Sequence, residues 1–245
     1  MKIILLRHGE SEWNLENRFT GWKDIKLSKN GELEALKAGE KILQANIKIN
    51  KVFCSILERA KMTSEIVCKK IKYPSHKIIF DWRLNERHYG ALEGKIKSET
   101  AKQYGEEKVK IWRRSFDTPP PQLNFNDERH PRRIEKFKDI NAELPVGESL
   151  KDVIERIQPF WSNFKSLLQA DHNYLIVGHS NSLRAIVKLL ENLDNNQITE
   201  VEIPTGEPLI YELSKMMKII DKQYLINERE LISKQNKIIN QGKIK

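Results

Sequence analysis

The sequence predicts an α/β fold around a mostly parallel central sheet, and three observations carry the prediction. Strand-like and helix-like stretches alternate along most of the chain, the pattern of βαβ units. Residues 3–6 form an apolar run without polar alternation, as in a strand buried on both faces and covered by helices on each. That run gives way at once to Arg7, His8 and Gly9, which sets polar chemistry at the carboxyl edge of the sheet, where open α/β sheets bind ligands.

The remaining elements follow in order. After the first strand comes a polar loop at 10–27, and Ser28 reads as the N-cap of a helix carrying a stripe of Leu33, Leu36, Ile42 and Leu43 to about residue 44. A second strand at 51–54, a helix at 57–71 and a third strand at 77–82 follow. From 85 to 145 the alternation fails. An excursion this long inside a compact domain is usually functional, and Trp112, Phe116, Phe125 and Phe137 argue against disorder. Ser149 reads as the cap of a helix to about 168, residues 174–177 as a strand leading into Gly178-His179-Ser180-Asn181 and a helix to 190, and 207–213 with 216–220 as a hairpin. The domain organisation expected is a single unit over 1–245, with an insertion over the site at about 90–145 and a lysine-rich, weakly helical, mobile tail at about 222–245.

Composition bounds the function. The 245 residues are 39% hydrophobic and 31% charged, fitting a globular domain with a sizeable core. No apolar run approaches the roughly eighteen residues of a membrane span, and Met1 runs straight into the first strand with no leader-like segment. The expectation is therefore a cytoplasmic protein without a membrane partner. The net charge of +9 fits either nucleic acid or a small, highly anionic substrate. The basic residues are spread out and no nucleic-acid-binding module is visible, so no nucleic-acid partner is expected. Cys54 and Cys68 are the only cysteines, both expected buried and reduced, and no Cys/His cluster has metal-ligand spacing. His76, His130 and His172 read as loop residues.

Four strand ends bring chemistry together. Arg7 and His8 follow the first strand, Arg59 comes just after the second, Glu86 and Arg87 follow the third, and His179 follows the fourth. In a parallel sheet these share one edge. A guanidinium offers a planar fork of donors matched to phosphate oxygens. Gly9 would let backbone N–H groups approach an anion. Arginine neighbours should depress the His8 pKa and keep the ring neutral and nucleophilic. Glu86 suits a proton shuttle, with His88 beside it to orient it. Asn14 and Asn181 are neutral donors, and the helix beginning at Asn181 offers an anion-favouring amino end.

Longer strings sharpen this. Leu-Arg-His-Gly-Glu-Ser at 6–11 with Asn14 resembles the histidine phosphatase superfamily. Arg-Phe-Thr-Gly-Trp at 18–22, Trp-Arg-Leu-Asn-Glu-Arg-His-Tyr-Gly at 82–90, Trp-Arg-Arg-Ser-Phe-Asp at 112–117 with prolines at 119–121, and Ile-Pro-Thr-Gly-Glu-Pro-Leu-Ile-Tyr-Glu-Leu at 203–213 are similar to its cofactor-dependent phosphoglycerate mutases. The resemblance implies a mostly parallel sheet with one antiparallel strand and helices on both faces. It implies glycolytic and gluconeogenic interconversion of 2- and 3-phosphoglycerate through a phosphohistidine at His8, primed by 2,3-bisphosphoglycerate and needing no metal. Bisphosphoglycerate mutase or phosphatase chemistry at the same site is the alternative. Glu86 would donate and accept the proton, and His179 would stabilise the transferring group. Arg7, Ser11, Asn14, Arg59 and Asn181 fall on phosphate-binding positions; Thr20, Gly21, Arg87, Tyr89, Lys97, Arg113 and Arg114 fall on substrate-contacting ones. A homodimer or homotetramer is implied as well. The chain departs from the family pattern at Ser180, where a glycine is usual, and at Lys95-Ile96 before Lys97. If position 180 needs φ > 0, its Cβ costs about 1 kcal/mol.

Overall fold

A computed structural model describes residues 1–240. Its strands are β1 (Lys2–Arg7), β2 (Lys51–Cys54), β3 (Ile79–Phe80), β4 (Asn173–Gly178), β5 (Leu209–Leu213) and β6 (Ile219–Tyr224), and they form one sheet in the order β3-β2-β4-β1-β5-β6. β2 to β4 run parallel to their neighbours and to β1, whereas β5 runs against both β1 and β6. One reversed strand in a parallel sheet is what the family resemblance implied. The helices are α1 (Glu12–Leu15), α2 (Lys29–Gln44), α3 (Glu58–Lys70), α4 (Lys97–Tyr104), α5 (Glu106–Arg114), α6 (Leu150–Ser166), α7 (Ser180–Glu191), α8 (Gln197–Glu200) and α9 (Glu228–Ile239).

The apolar run of β1 is divided between two cores. Ile3 and Leu5 face Val153, Ile157 and Phe160 of α6 and Leu183 and Ile186 of α7. Ile4 and Leu6 face Ala38 and Ile42 of α2 and Ala60 and Val67 of α3. Alternate side chains of a strand point to opposite faces, so a continuous apolar run requires a helical layer on each side. Cys54 and Cys68 are both buried and free, and burial pushes each thiol up to about 12.

Four expectations change. Leu33, Leu36 and Leu43 point outward, and α2 buries Gly31, Ala35, Ala38, Gly39 and Ile42 instead. A Cβ on Gly39 would lie 2.8 Å from Lys70 Cβ, so close contact with α3 selects small residues over large ones. The third strand shrinks to Ile79–Phe80 between short 3-10 turns. The hairpin partner starts at Ile219, not 216, and extends to Tyr224, because Ser214 and Lys218 close the turn. Within the supposed tail, α9 is a capped helix, with Asn227 Oδ1 accepting from Glu230 N. Lys234 of α9 pairs with Glu207, and Gln235 Nε2 donates to the Glu202 carbonyl. Positions 241–245 of the tail lie outside the described residues.

The excursion holds a small core of its own, where Phe19, Leu92, Ala101, Val109 and Trp112 pack together. It stands over the carboxyl edge of the sheet, so α4 and α5 become one wall of the cavity there.

Candidate active site

His8 leaves the end of β1 with its N–H held by the Gly178 carbonyl of β4 at 3.0 Å. Its ring is 2% exposed. Nδ1 lies 2.6 Å from the Gly9 carbonyl, and a carbonyl can only accept, so Nδ1 carries the proton and Nε2 the lone pair. Arg59 Nε donates to that Nε2 at 3.2 Å. Burial, then Arg59 and Arg7, hold His8 well below the ordinary histidine value. Gly9 serves differently from expectation: its N–H donates to Thr63 Oγ1 at 3.1 Å. A Cβ on Gly9 would fall 2.1 Å from the Gly31 carbonyl oxygen, and one on Gly31 would fall 1.9 Å from that of Glu10. The loop after β1 and the first turn of α2 meet backbone to backbone.

His179 stands behind His8, with ring centroids 4.8 Å apart and interplanar angle 59°. It is fully buried and does not itself form the cavity wall. Ser55 Oγ donates to Asn85 Oδ1 at 2.8 Å, leaving the oxygen to accept from His179 Nε2, also at 2.8 Å. Its Nδ1 is buried without a partner. Burial, then Arg59, His8 and Arg7, lower the His179 pKa well below its usual range.

Glu86 follows β3 and lies 7% exposed on the wall. Its Oε1 accepts from Arg87 N at 2.7 Å, Asn181 Nδ2 at 2.9 Å and Asn181 N at 3.2 Å. The amino end of α7 is therefore occupied by Glu86, where the sequence suggested a ligand. Ser180 opens α7 without a positive φ, so the glycine usual there is not needed for backbone freedom.

Other expected residues divide between wall and second layer. Arg7, Asn14, Thr20, Gly21, Arg59, Tyr89, Lys97, Arg113, Arg114, Ser180 and Asn181 line the cavity with His8 and Glu86. Arg7 Nη1 donates to the Ile203 carbonyl at 2.9 Å. Arg59 gives Nη2 to the Gly21 carbonyl at 2.8 Å and Nη1 to that of Lys23 at 3.0 Å, while Glu93 receives the N–H groups of Trp22 and Lys23. Gly21, at φ +56°, permits this turn, and burial raises the Glu93 carboxyl to about 7. Lys97 is buried among Arg113, Arg7 and Arg114; burial, then those cations, depress its pKa strongly. The Lys95-Ile96 variation leaves it in place.

Ser11, Arg87 and His88 do not reach the wall. Ser11 Oγ caps α1 by accepting from Asn14 N at 3.2 Å, while Asn14 Oδ1 accepts from Ser11 N at 3.1 Å, so Ser11 positions Asn14. Arg87 lies under the Tyr89 ring, 4.8 Å from its centroid, and donates to the Arg113 carbonyl at 2.8 Å. His88 turns away from the Glu86 carboxylate: its ring packs on Trp22 at 5.8 Å and its Nδ1 accepts from Gly90 N at 3.0 Å. Burial, then Arg156, hold it near a pKa of about 3.

Arg18, Phe19, Arg184, Glu202 and Ile238 line the cavity without having been singled out. Arg184 sits three residues after Asn181 on α7, a helical neighbour, and donates Nη1 to Asn181 Oδ1 at 3.1 Å. Glu202 precedes β5. Because β5 is reversed, its amino end meets the carboxyl ends of the other strands, and a search of strand carboxyl ends alone passes over it.

Chemically, this is a buried neutral imidazole whose Nε2 lone pair accepts from Arg59, ringed by guanidinium groups, with the carboxylates of Glu86 and Glu202 on the same wall. Several buried donors around it lack protein partners: Arg7 Nε, Arg87 Nε and Nη1, Arg184 Nε and Thr20 Oγ1. A buried unpaired donor is costly, and a multiply charged anion is the ligand that satisfies such a set. Among the described residues no three His, Cys, Asp or Glu side chains are grouped to hold a metal ion.

A mostly parallel α/β sheet with His8, His179 and arginines at its carboxyl edge defines a phosphoryl-handling histidine protein, and the chain belongs to the histidine phosphatase superfamily, branch 1, whose profile matches residues 3–222. Within it, the chain is 45% identical to the 2,3-bisphosphoglycerate-dependent phosphoglycerate mutase of Borreliella afzelii and 46% identical to that of Lachnoclostridium phytofermentans, in each case over 100% of this chain and 99% of the relative. Among solved structures, a mycobacterial glucosyl-3-phosphoglycerate phosphatase superposes with a TM-score of 0.67 at 20% identity, covering 86% of this chain and 92% of that one. An α-ribazole-5′-phosphate phosphatase from Escherichia coli gives 0.64 at 19%, over 88% and 92%. These two likenesses concern the fold.

Proposed function

We propose that the chain is a 2,3-bisphosphoglycerate-dependent phosphoglycerate mutase, interconverting 2- and 3-phosphoglycerate in the cytoplasm. Full-length likeness to two relatives of that name supports the activity. The observation that carries the mechanism is His8, with its lone pair at Nε2 and Arg59 Nε beside it.

In this reading the charged His8 gives its phosphoryl group to the free hydroxyl of a monophosphoglycerate, and the freed Nε2 then attacks the other phosphorus of the bisphosphate so formed, releasing the isomeric monophosphate and leaving His8 charged again. Arg59 Nε, already at Nε2, moves its donor from the lone pair to a phosphoryl oxygen, and Arg7 supplies its second cation. Such charge-assisted hydrogen bonds contribute roughly 1.5–3 kcal/mol each, and they matter most where phosphoryl charge is spread over the transition state. His179, held by Ser55, backs the His8 ring and stabilises the transferring phosphoryl group through that ring. Glu86 accepts the proton of the attacking hydroxyl and gives it back to the departing one, oriented by Asn181 and Arg87 N. Lys97, Arg113, Arg114 and Tyr89 bind the substrate's carboxylate and distal phosphate. The unpartnered donors of Arg7 and Arg184, both on that wall, fit 2,3-bisphosphoglycerate held there. When bound, that primer supplies the phosphoryl group that charges His8.

The edge of the sheet supports self-association: β3 is an end strand and exposes Ile79 and Phe80, at 43% and 42%. A homodimer or homotetramer is the assembly proposed.

The test is trapping. Incubation with radiolabelled 2,3-bisphosphoglycerate should leave acid-labile phosphate on His8, and mutase turnover should require the added primer. A His8→Gln variant that retains turnover, or an unlabelled position 8, would sink the reading.

A further inference from the structure

A cavity suited to anions has an acidic side chain on its wall besides Glu86. Glu202 is 6% exposed and lines the cavity. One carboxylate oxygen pairs with Arg114 Nη1; the other, Oε2, is buried without a hydrogen-bond partner. Its backbone is fixed, since the Glu202 carbonyl accepts from Gln235 Nε2 at 3.1 Å and from Tyr224 Oη at 3.4 Å. The carboxylate is thus held in place by the chain on both sides of it.

Two consequences follow from placing a fixed negative charge there. It competes with any ligand for Arg114, whose Nη2 also donates to the Ile238 carbonyl of α9 at 3.4 Å. It also repels ligand charge directly, and its unpartnered oxygen has no donor to blunt that repulsion. Hydrogen bonds from the cavity depend on how many donors a ligand can engage, whereas this repulsion grows with the ligand's total charge. An added phosphoryl group brings about two further negative charges.

We propose that Glu202 is a specificity-determining residue that discriminates among anionic ligands by total charge, weakening the hold on bisphosphorylated glycerates more than on monophosphorylated ones. This rests on the mutase reading above. There a bisphosphorylated ligand has to be turned over, and a site without this carboxylate would retain it too firmly.

The experiment measures affinity by calorimetry for 3-phosphoglycerate and for 2,3-bisphosphoglycerate. It uses the full chain carrying His8→Gln, so that no phosphoryl group moves, with and without Glu202→Gln. The expected result is an affinity for the bisphosphate about tenfold tighter with Glu202→Gln, against at most about threefold for the monophosphate. The difference should shrink as salt is raised from about 0.05 to about 0.5 M. Glu202→Asp keeps the charge and should leave the ratio of affinities within about twofold of the parent, which also guards against a folding failure in the glutamine variant. Equal tightening of both ligands by Glu202→Gln, or equal effects of Asp and Gln, overturns the proposal while leaving the mutase reading intact. A parent that binds neither ligand overturns both.

Discussion

At residue scale, the tautomer of His8 follows from one short hydrogen bond. Nδ1 donates to the carbonyl of Gly9, so the backbone of the next residue decides that Nε2 is the atom left with the lone pair. The ring's neutrality is decided by burial first and by Arg59 and Arg7 second. A lowered pKa means His8 stays unprotonated as pH falls through the ordinary value near 6.5, so kcat/KM should not decline there on its account. Arg59→Gln removes one of the causes. The acid limb of kcat/KM, which reports groups of the free enzyme, should then move upward toward 6.5, alongside a large loss in kcat. A profile over pH 5–8 reads this directly; an acid limb left where it was would show that Arg59 does not tune the ring. Ser180 suggested strain because family glycines often mark positive φ, but as the first residue of α7 it needs none.

At the scale of elements, the loop bearing Glu86 is tied to α6 by one guanidinium. Arg156 pairs with Glu148 through Nε at 2.6 Å and Nη2 at 3.0 Å. It also donates to the carbonyls of Arg83, at 2.7 Å, and of Glu86, at 3.2 Å. Glu148 Oε2 in turn accepts from His88 N at 2.8 Å. Both side chains are almost entirely buried. Removing one partner of such a pair typically costs about 3–5 kcal/mol. Arg156→Met should lose about that much in urea unfolding, and its folded fraction should show a fall in kcat with little change in KM. An unchanged kcat in the folded variant would reduce Arg156 to a structural tie. The closing helix offers a second test. α9 sets Ile238 on the cavity wall, where it would exclude water. Truncation after Leu225 should slow mutase turnover while hydrolysis of the phosphoenzyme holds or rises, measured by phosphate release. Both rates unchanged would remove water exclusion as its role.

Across the whole molecule, the buried neutral histidines make stability depend on pH. His8, His88 and His179 all have lowered values, so below about pH 6.5 the unfolded chain binds protons that the folded one refuses. Stability then falls with acid by about 1.4 kcal/mol per pH unit for each such histidine. Glu93 and Glu34, both raised, act in the opposite sense, since the folded chain holds their protons to higher pH. His88→Asn, which keeps an acceptor for Gly90 N, should reduce the slope of stability between pH 6.5 and 5 by about one proton equivalent. Urea midpoints across that range check it, and an unaltered slope would contradict the buried neutral state of His88.

The fold was legible where local chemistry and global packing agree. β1 announced itself through a run apolar at every position, and Ser28 and Ser149 cap α2 and α6 as their spacing indicates. The site was legible where a strand's carboxyl end carries the chemistry, as at Arg7, His8, Glu86 and His179. What escaped depends on contacts distant in sequence. The leucines of α2 resemble a core stripe, yet the helix turns its small residues inward because α3 lies so close. His88 sits near Glu86 in the chain but belongs to the packing around Trp22. Glu202 enters the cavity only because β5 runs backward.

The abutment of Gly9 on Gly31 ties the seat of His8 to an address at some remove from the cavity. A methyl group at position 31 could not be absorbed by rotating a side chain, since main chain stands on both sides of the contact. The wedge would drive the tip of β1, and His8 with it, off its seat. The placement of that imidazole thus hangs on a silent helical position as firmly as on the residue that bears it.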